Sequence, residues 1–475
     1  MPIKLEITHL FDQVEIPEDE MESLLGVASW QSEPQFPYPG RSAWHVFKKP
    51  VYLKNDKEKI FRAAKLKGVG VWNPENFHLY SGVHGMAYCD KPIQPTTEDY
   101  KFTSSIAHFG FTDEGFFEAV YSEPAPYGGI LHRRAVQEYE NSLRMLAHGV
   151  PAQVSLLVAR LPASYKFMDE DMGIVISLSE EIEPFRLHLI HFGDHELFER
   201  ELKYYTRLQK SIGLPENIQD ENIRLQTINA LSGQIGKLLH DFSAAGLYRH
   251  SGGWEDLSFC LKNKRVFLAD LDSNRCMAEL TACTRPLQIL RDLSSSIHKL
   301  LNMFYYPTVL DKYTFSNLVA SDPVSEMLSA YFPASNAGKI KKIAARFWDY
   351  FAPHFFLMQR WLHGNCQGEV VDEGVVRAKP AQHPNIFPSI TRIPNGPQRY
   401  RNRVWGEREP EIRKSYKMDD EIFFTLSMLN LFPLYSESDL NSFFPTDCTL
   451  GDLEERAQAF LGEKYHYVSY LLSDR

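Results

Sequence analysis

The sequence lacks the features that mark several large classes of protein. It has no uninterrupted run of about 18 apolar residues, so we expect no membrane span, and its first residues lack the apolar core of a signal peptide. Its six cysteines are scattered and form no CxxC pair, which indicates reduced thiols rather than a disulfide framework. No repeat or low-complexity tract is evident. We therefore expect a cytoplasmic globular protein.

A basic excess is also missing. The 475 residues carry 61 acidic and 51 basic side chains, a net charge of −10. Because nucleic-acid-binding proteins usually show the opposite balance, we expect no nucleic-acid partner. The local signatures GxSxG and GxxxxGK[ST] are absent, which leaves an α/β-hydrolase triad and a Walker loop without support. What is present is 44% hydrophobic residues, enough for a large core in two or three domains.

The order of predicted elements indicates an α+β protein with a small β-rich lobe followed by a helical lobe. The sequence predicts an irregular N-terminal extension over residues 1–45. It predicts strands, one helix and a long insertion over residues 46–182. Residues 183–310 predict long helices around a tight hairpin, and residues 311–475 predict further helices. This order is that of the bilobal protein-kinase fold, whereas a doubly wound sheet needs a regular βαβ alternation that is absent.

Three local patterns support this order. WHVFKKPVYLK and KIFRAAKLKG flank a polar turn and predict a β-hairpin. LHRRAVQEYENSLRMLAHGV has apolar residues at helical spacing and ends at Gly149, a normal stop. SFCLKNKRVFLADLD predicts a second, tighter hairpin.

Phosphoryl transfer of the kinase type needs a lysine for phosphate charge, a glutamate that fixes it, ligands for Mg²⁺, and a group that positions the attacking hydroxyl. KLKGVG, residues 65–70, places Lys67 at a predicted strand end beside two glycines. A phosphate site and a solvated turn both fit that stretch. Glu138 and Glu140 follow on the first long helix, and only one of them faces the sheet because they lie two residues apart.

Two acidic segments supply candidate metal ligands. Asp256 lies fourteen residues before Asp270, and the hairpin between them folds the two carboxylates towards each other. Converging carboxylates suit a hard cation that prefers oxygen ligands. Asp270 also ends an apolar strand, where an aspartate is costly to bury unless a metal or hydrogen bonds compensate. The alternative is a turn role, shared with Asp272 and Ser273.

The stretches KLKGVG and GGILHRRAVQEYENSLRMLAHGVPAQ resemble the selenoprotein O family of kinase-like enzymes. That family has a lysine-glycine strand end, an arginine-bearing helix and a turn similar to LAHGVPAQ. An Asp-Asn pair, a short hairpin and an IDYG motif follow. The resemblance covers short motifs in the right order over about residues 60–275.

The resemblance implies roles for six residues. It assigns nucleotide binding to Lys67, Glu138 and Arg133. It makes Asp256 and Asp270 the metal ligands, and it places Glu255 where the catalytic base is expected. It further implies ATP and Mg²⁺ as cofactors and a hydroxyl group of a protein or small metabolite as acceptor. Members of the family transfer AMP whereas ordinary kinases transfer the γ-phosphoryl group, and both reactions stay open here.

Departures from the family pattern leave two alternatives. The Asp-Asn pair is Glu255-Asp256 here, the glycine after the metal aspartate is missing, and no glycine-rich loop precedes Lys67. These departures favour a catalytically inactive pseudokinase that acts as a nucleotide-binding or protein-interaction scaffold. An enzyme of specialised metabolism that modifies a small molecule through the same fold is the other alternative.

Three further features have two interpretations each. Arg134, beside Arg133, fits a bidentate phosphate contact or a solvated helix start equally well. The tripeptide YRH is similar in order to a kinase catalytic loop, but Ser251 replaces the aspartate, so we expect His250 to be structural. The aromatic segment FWDYFAPHFFLMQRWL predicts core packing, with partner docking as the alternative.

Overall fold

The protein is of the mixed α+β class over the residues that the structure describes. The computed structural model describes residues 2–37, 41–72, 92–95, 105–111, 117–124, 126, 128–182, 187, 199–249, 254–280, 284–304, 312–333 and 337–362. The sequence also predicts helices near 418–431 and 451–472, but both lie outside the described residues. His250 and Ser251 lie outside them as well. No helix in the described ranges is long and apolar enough to cross a membrane.

Among the described residues, the first half of the chain forms one large antiparallel sheet with two helices. In chain order its elements are β1 (Glu6–Leu10), β2 (Val14–Glu15), α1 (Glu18–Ala28), β3 (Phe36–Pro37), β4 (Ser42–Leu53), β5 (Asp56–Lys67), β6 (Ser105–Phe111), β7 (Phe117–Pro124), β8 (Ile130–Leu131), α2 (His132–Ala147), β9 (Val154–Arg160), β10 (Lys166–Phe167) and β11 (Glu170–Ser179). The sheet has the strand order β1-β9-β11-β5-β4-β2, with β3 on β4 and with β8 and β10 on β11. Strands β6 and β7 pair separately.

The prediction that residues 1–45 are irregular is wrong. Strand β1 pairs with β9 at the edge of the sheet, and β2 pairs with β4. An edge strand has one free side and needs no alternating apolar pattern, so β1 leaves Ile7 and Leu10 about half exposed. Helix α1 did carry a signal, because Leu24, Val27 and Ala28 recur at helical spacing and are buried.

The predicted hairpin of β4 and β5 is confirmed and determines the direction of four side chains. The strands join at Lys54–Asn55, and their side chains alternate between the two faces of the sheet. Ala64 and Leu66 therefore belong to the apolar core on one face. Lys65 and Lys67 point to the other face, and both are buried.

From residue 199 onwards, the part of the chain that the structure describes is mostly helical. Its elements are α3 (Glu199–Ser211), α4 (Glu221–Ala244), β12 (Leu247–Arg249), β13 (Leu257–Cys260), β14 (Arg265–Leu268), β15 (Asn274–Cys276), α5 (Thr284–Met303), α6 (Phe315–Ser321), α7 (Pro323–Tyr331) and α8 (Ala337–Leu362). The sequence predicts a helix from about Ala278 to Phe304. Residues 277–279 form a 3-10 turn instead, and helix α5 begins at Thr284.

Apolar side chains gather in two large cores. One packs α1 against β4, β5, β9 and β11. The other packs α3 to α8 with β12 to β14. The aromatic segment of α8 belongs to the second core, since Phe347, Trp348, Phe351 and Phe355 are buried there. The core interpretation of that segment is therefore confirmed for these four side chains. The division of the chain into four segments stays a prediction.

The hairpin of β13 and β14 brings the second half of the chain against the sheet. Leu268, at the end of β14, donates its N–H to the carbonyl of Pro151 at 3.0 Å, and its carbonyl accepts from the N–H of Gln153 at 3.0 Å. Both partners lie in the connection between α2 and β9. These main-chain bonds hold the next residues, 269–273, beside the buried lysines of β5.

Candidate functional site

The buried ammonium group of Lys67 lies among three carboxylates. Its Nζ is 2.8 Å from Glu138, 2.5 Å from Asp270 and 2.9 Å from Asp272. Strand β5, helix α2 and the segment after β14 each contribute to this group. The lysine side chain is 3% exposed, so its contacts with the carboxylates replace those it would make with water.

Helix α2 places Glu138 through a polar stripe on one of its faces. Arg134, Gln137, Glu138 and Asn141 lie three or four residues apart, so they share this face. Asn141 donates to the carbonyl of Leu271 at 3.2 Å and to that of Asn274 at 3.0 Å, and Gln137 also donates to Asn274 at 3.0 Å. The stripe thus fixes the segment that carries Asp270 and Asp272.

The charges of this cluster change the proton affinities of its members. Burial alone would lower the pKa of Lys67, but Asp270, Asp272 and Glu138 outweigh it and raise that pKa. Burial would raise the pKa of Asp270, but Lys67 above all lowers it to about 2. The pKa of Asp272 is lowered further, by Lys67, Arg41 and Arg134 against the effect of burial. Burial raises the pKa of Glu138.

Three members of the cluster were not predicted as site residues. Asp272 was considered only as a turn residue, and Arg41 was not considered at all. The Arg41 guanidinium donates to Oδ2 of Asp272 at 2.8 Å, the oxygen that Lys67 also contacts. The third is Lys65, the first lysine of KLKGVG, which donates to the carbonyl of Ala269 at 3.1 Å.

The glycines of KLKGVG allow close packing of the main chain. Gly68 and Gly70 have φ of +89° and +85°, and a Cβ atom on Gly70 would lie 2.2 Å from the carbonyl oxygen of Ile93. The N–H of Gly68 bonds to the carbonyl of Arg41, and that of Gly70 to the carbonyl of Gly128, both at 2.8 Å. These two donors are satisfied within the protein and residues 65–70 are buried, so the solvated turn is wrong. Phosphate binding by this stretch, through Lys67, stays a prediction.

Of the two candidate glutamates on α2, and of the two candidate arginines, one lies at the cluster and the other faces away from it. Glu138 is buried on Lys67, whereas Glu140 is exposed. Arg133 lies on the exposed side of α2 and forms an ion pair with Glu170 at 2.6 Å, so it is not brought to the cluster. Arg134, four residues before Glu138 on the same helix face, is buried. Its spacing from Glu138 was the signal that distinguished it from Arg133.

Asp256 lies next to the cluster but has a different partner. Its carbonyl accepts from the N–H of Ala269 at 3.0 Å, which puts Asp256 and Asp270 at the same end of the hairpin. Its carboxylate accepts from the buried guanidinium of Arg249 at 2.7 Å. Glu255, the predicted base, precedes Asp256 in a 3-10 turn, and its side chain is outside the described part of the chain.

Helix α5 holds Arg249 by both of its main-chain polar groups. Asp292 accepts from the N–H of Arg249 at 2.7 Å, and Arg291 and Gln288 donate to its carbonyl at 2.6 and 3.2 Å. Burial raises the pKa of Asp292 to about 7, against the effect of Arg291. This buried network fixes the strand end from which Arg249 reaches Asp256.

The residues present fit a divalent cation. Carboxylate oxygens of Glu138, Asp270 and Asp272 come within 4.8 Å of one another, and this is the one such group among the described residues. Oxygen donors of this kind suit Mg²⁺. Asp256 is not in the group.

The cluster as a whole has more cations than anions. Lys65, Lys67, Arg41 and Arg134 contribute four positive charges, and all four interact electrostatically with at least one of the three carboxylates. The formal balance is +1. A cationic excess beside carboxylates that suit a metal is what a phosphorylated ligand with its metal ion requires.

Comparisons with known proteins add little. No protein family matches the chain, and no curated protein is significantly similar to it. One solved structure that it resembles is described as "WaaP in complex with acyl carrier protein", at 13% identity and a TM-score of 0.28, covering 48% of this chain and 78% of that one. So poor a superposition carries no argument. The resemblance to the selenoprotein O family stays an inference from the motifs quoted above.

Proposed function

We propose that this protein is an ATP- and Mg²⁺-dependent transferase of the kinase-like class, which moves a phosphoryl or AMP group to a hydroxyl. One observation carries the proposal: the ammonium of a strand lysine, Lys67, contacts a helix glutamate, Glu138, and an aspartate after a hairpin, Asp270. These three elements meet in kinase sites, where the lysine-glutamate pair and the metal-binding aspartate must both be in place.

In the proposed architecture residues 46–182 form the small lobe and residues 183–310 the large lobe, with nucleotide bound between them. The two apolar cores support this division. The strands contributed by residues 1–45 would then extend the sheet of the small lobe.

Each residue has a proposed task. Lys67 binds phosphate oxygens and Glu138 orients it. Asp270 belongs both to the carboxylate group that fits a cation and to the sequence-based pair with Asp256, so we assign the metal ion to Asp270 with Asp256 as a further ligand. When bound, Mg²⁺ neutralises charge on the phosphates. Arg249 orients the Asp256 carboxylate through their 2.7 Å contact.

The chemical step has two balanced forms. In phosphoryl transfer the acceptor oxygen bonds to the γ-phosphorus, the bond to the β-phosphate oxygen breaks, and ADP leaves. In AMP transfer the acceptor oxygen bonds to the α-phosphorus and pyrophosphate leaves. In both forms the hydroxyl proton passes to a base, a task that we assign to Glu255 on the sequence resemblance. The chain contributes mostly positioning and charge stabilisation.

The test is incubation of the full chain with Mg²⁺ and ATP that is labelled at the α- or the γ-phosphate. Transfer of the γ label alone indicates a kinase, and transfer of the α label alone indicates AMP transfer. Asp270→Asn should abolish either reaction. Asp171→Asn, which removes an exposed carboxylate from β11, is the matched control and should keep full activity.

The inactive scaffold is the second candidate, and one observation favours it. A lysine ammonium has three N–H donors, and three carboxylates already contact that of Lys67. If neither label is transferred and Mg²⁺ with ATP leaves the unfolding temperature unchanged, the transferase proposal fails and the scaffold is preferred.

A further inference from the structure

The carboxylate of Asp272 lies where basic side chains from separate parts of the chain converge. Its Oδ2 atom is 2.8 Å from Arg41, just before β4, and 2.9 Å from Lys67, at the end of β5. Arg134, on α2, is a third cation that acts on it. The Asp272 side chain is 11% exposed. A single carboxylate oxygen with two basic donors is bound in the way that a phosphate oxygen is usually bound.

The three carboxylates on Lys67 do not have equivalent surroundings. Glu138 is 1% exposed and is fixed on a helix. Asp270 is 25% exposed and has Lys67 as its hydrogen-bond donor. Asp272 accepts a hydrogen bond from Arg41 and forms an ion pair with Lys67 at 2.9 Å, so that it has one basic partner from each of two segments. An anion that replaced Asp272 would therefore gain direct contacts with both Lys67 and Arg41. One that replaced Asp270 would gain the contact with Lys67 and the electrostatic effect of Lys65 and Arg41.

We propose that Asp272 is an internal anion that closes a phosphate-binding position formed by Arg41, Lys67 and Arg134, and that a phosphate group must displace it in order to bind. This proposal rests on the proposed function and identifies a control element of the same site. Asp272 stands two residues after Asp270, in the segment between β14 and β15, and takes the place of the glycine that is missing from the motif.

Charge favours the exchange. With Asp272 in place, four cations face three carboxylates, a formal balance of +1. When Asp272 leaves, the balance becomes +2, which a phosphate group of two negative charges neutralises. A phosphate also offers several oxygens, so that Arg41 and Lys67 no longer share one acceptor.

The test measures binding of inorganic pyrophosphate to the full chain by calorimetry, with a chelator present to remove divalent cations. Asp272→Asn keeps the shape of the side chain and removes its charge, and should tighten pyrophosphate binding by about tenfold or more. Adding Arg41→Gln to Asp272→Asn should abolish the gain. The exposed control Asp171→Asn changes the net charge equally and should leave the affinity unchanged.

Unchanged or weaker pyrophosphate binding by folded Asp272→Asn would overturn the proposal. So would a gain that persists after Arg41→Gln. If Asp272→Asn does not fold, the single variant Arg41→Gln is the test. It should weaken pyrophosphate binding, and an unchanged affinity would overturn the proposal. Loss of Mn²⁺ binding in Asp272→Asn without a pyrophosphate gain would make Asp272 a metal ligand and would also refute it.

This outcome is independent of group transfer. A chain that binds pyrophosphate more tightly through Asp272→Asn, yet transfers no label from ATP, supports the internal anion and refutes the transferase. A chain that transfers label but shows no such gain supports the transferase and refutes the internal anion.

Discussion

The two ends of strand β5 use the same residue type in opposite ways. At its outer end Lys57 forms an ion pair with Glu15, and both side chains are about 60% exposed. At its inner end Lys67 is 3% exposed and contacts three carboxylates. Exposed pairs contribute little because water screens them, whereas a buried charge depends on its partners. Position in the strand, and not residue type, therefore decides what a lysine does.

The largest expected effect comes from removing the inner ammonium. Lys67→Met leaves Glu138, Asp270 and Asp272 facing one another, so we expect a loss of roughly 3–5 kcal/mol in the free energy of unfolding at neutral pH. Lys57→Met is the matched change at the outer end and should leave the free energy of unfolding nearly unchanged, because water screens this exposed pair. Urea unfolding of both variants measures the two changes in the free energy of unfolding. Equal changes would contradict the difference between the two ends of the strand.

A smaller effect is expected from the backbone that follows the inner lysine. Gly70 combines a φ of +85° with a Cβ position 2.2 Å from the Ile93 carbonyl. We expect Gly70→Ala to lower the free energy of unfolding by roughly 2–4 kcal/mol, because strain and overpacking add. Gly149 has a φ of +70° with open space around it, so Gly149→Ala should cost about 1 kcal/mol. Urea unfolding measures both variants. If their free energies of unfolding fall by the same amount, the close packing at Gly70 does not contribute to stability.

The smallest expected effect concerns acid. The pKa of Asp270 in the folded state is lowered from its ordinary value of 3.8 to about 2, so its stabilising contribution is present above about pH 4 and is lost as the pH falls through 2. The stability difference between the wild type and Asp270→Asn should shrink by on the order of 2 kcal/mol over that interval. Unfolding curves at several pH values measure it. A difference that stays constant, or that grows on acidification, would contradict the proposed charge arrangement.

Local patterns were enough to predict much of the fold. The β4-β5 hairpin and helix α2 were predicted because each has its own local pattern, alternating apolar residues in the strands and helical spacing in the helix. The two-residue strands β2 and β3 have no period to detect. Strand β1 was missed because pairing with β9, more than a hundred residues away, makes it a strand.

The candidate site was partly visible in the sequence for a related reason. Lys67, Glu138 and Asp270 belong to recognisable patterns, and the structure brings the three together. Arg41 lies 231 positions from its partner Asp272, and nothing near either residue indicates their contact. The polar stripe of α2 could have been predicted from the sequence, because its members have helical spacing there: Arg134, Gln137, Glu138 and Asn141.

The raised pKa of Lys67 also limits the reactions open to this side chain. A lysine attacks a carbonyl or forms a Schiff base only as the neutral amine, which enzymes obtain by burying it among apolar or cationic groups. Here the burial is accompanied by carboxylates, and the amine remains protonated. Lys67 can therefore attract and orient an electron-rich partner, but it has no lone pair with which to form a covalent bond.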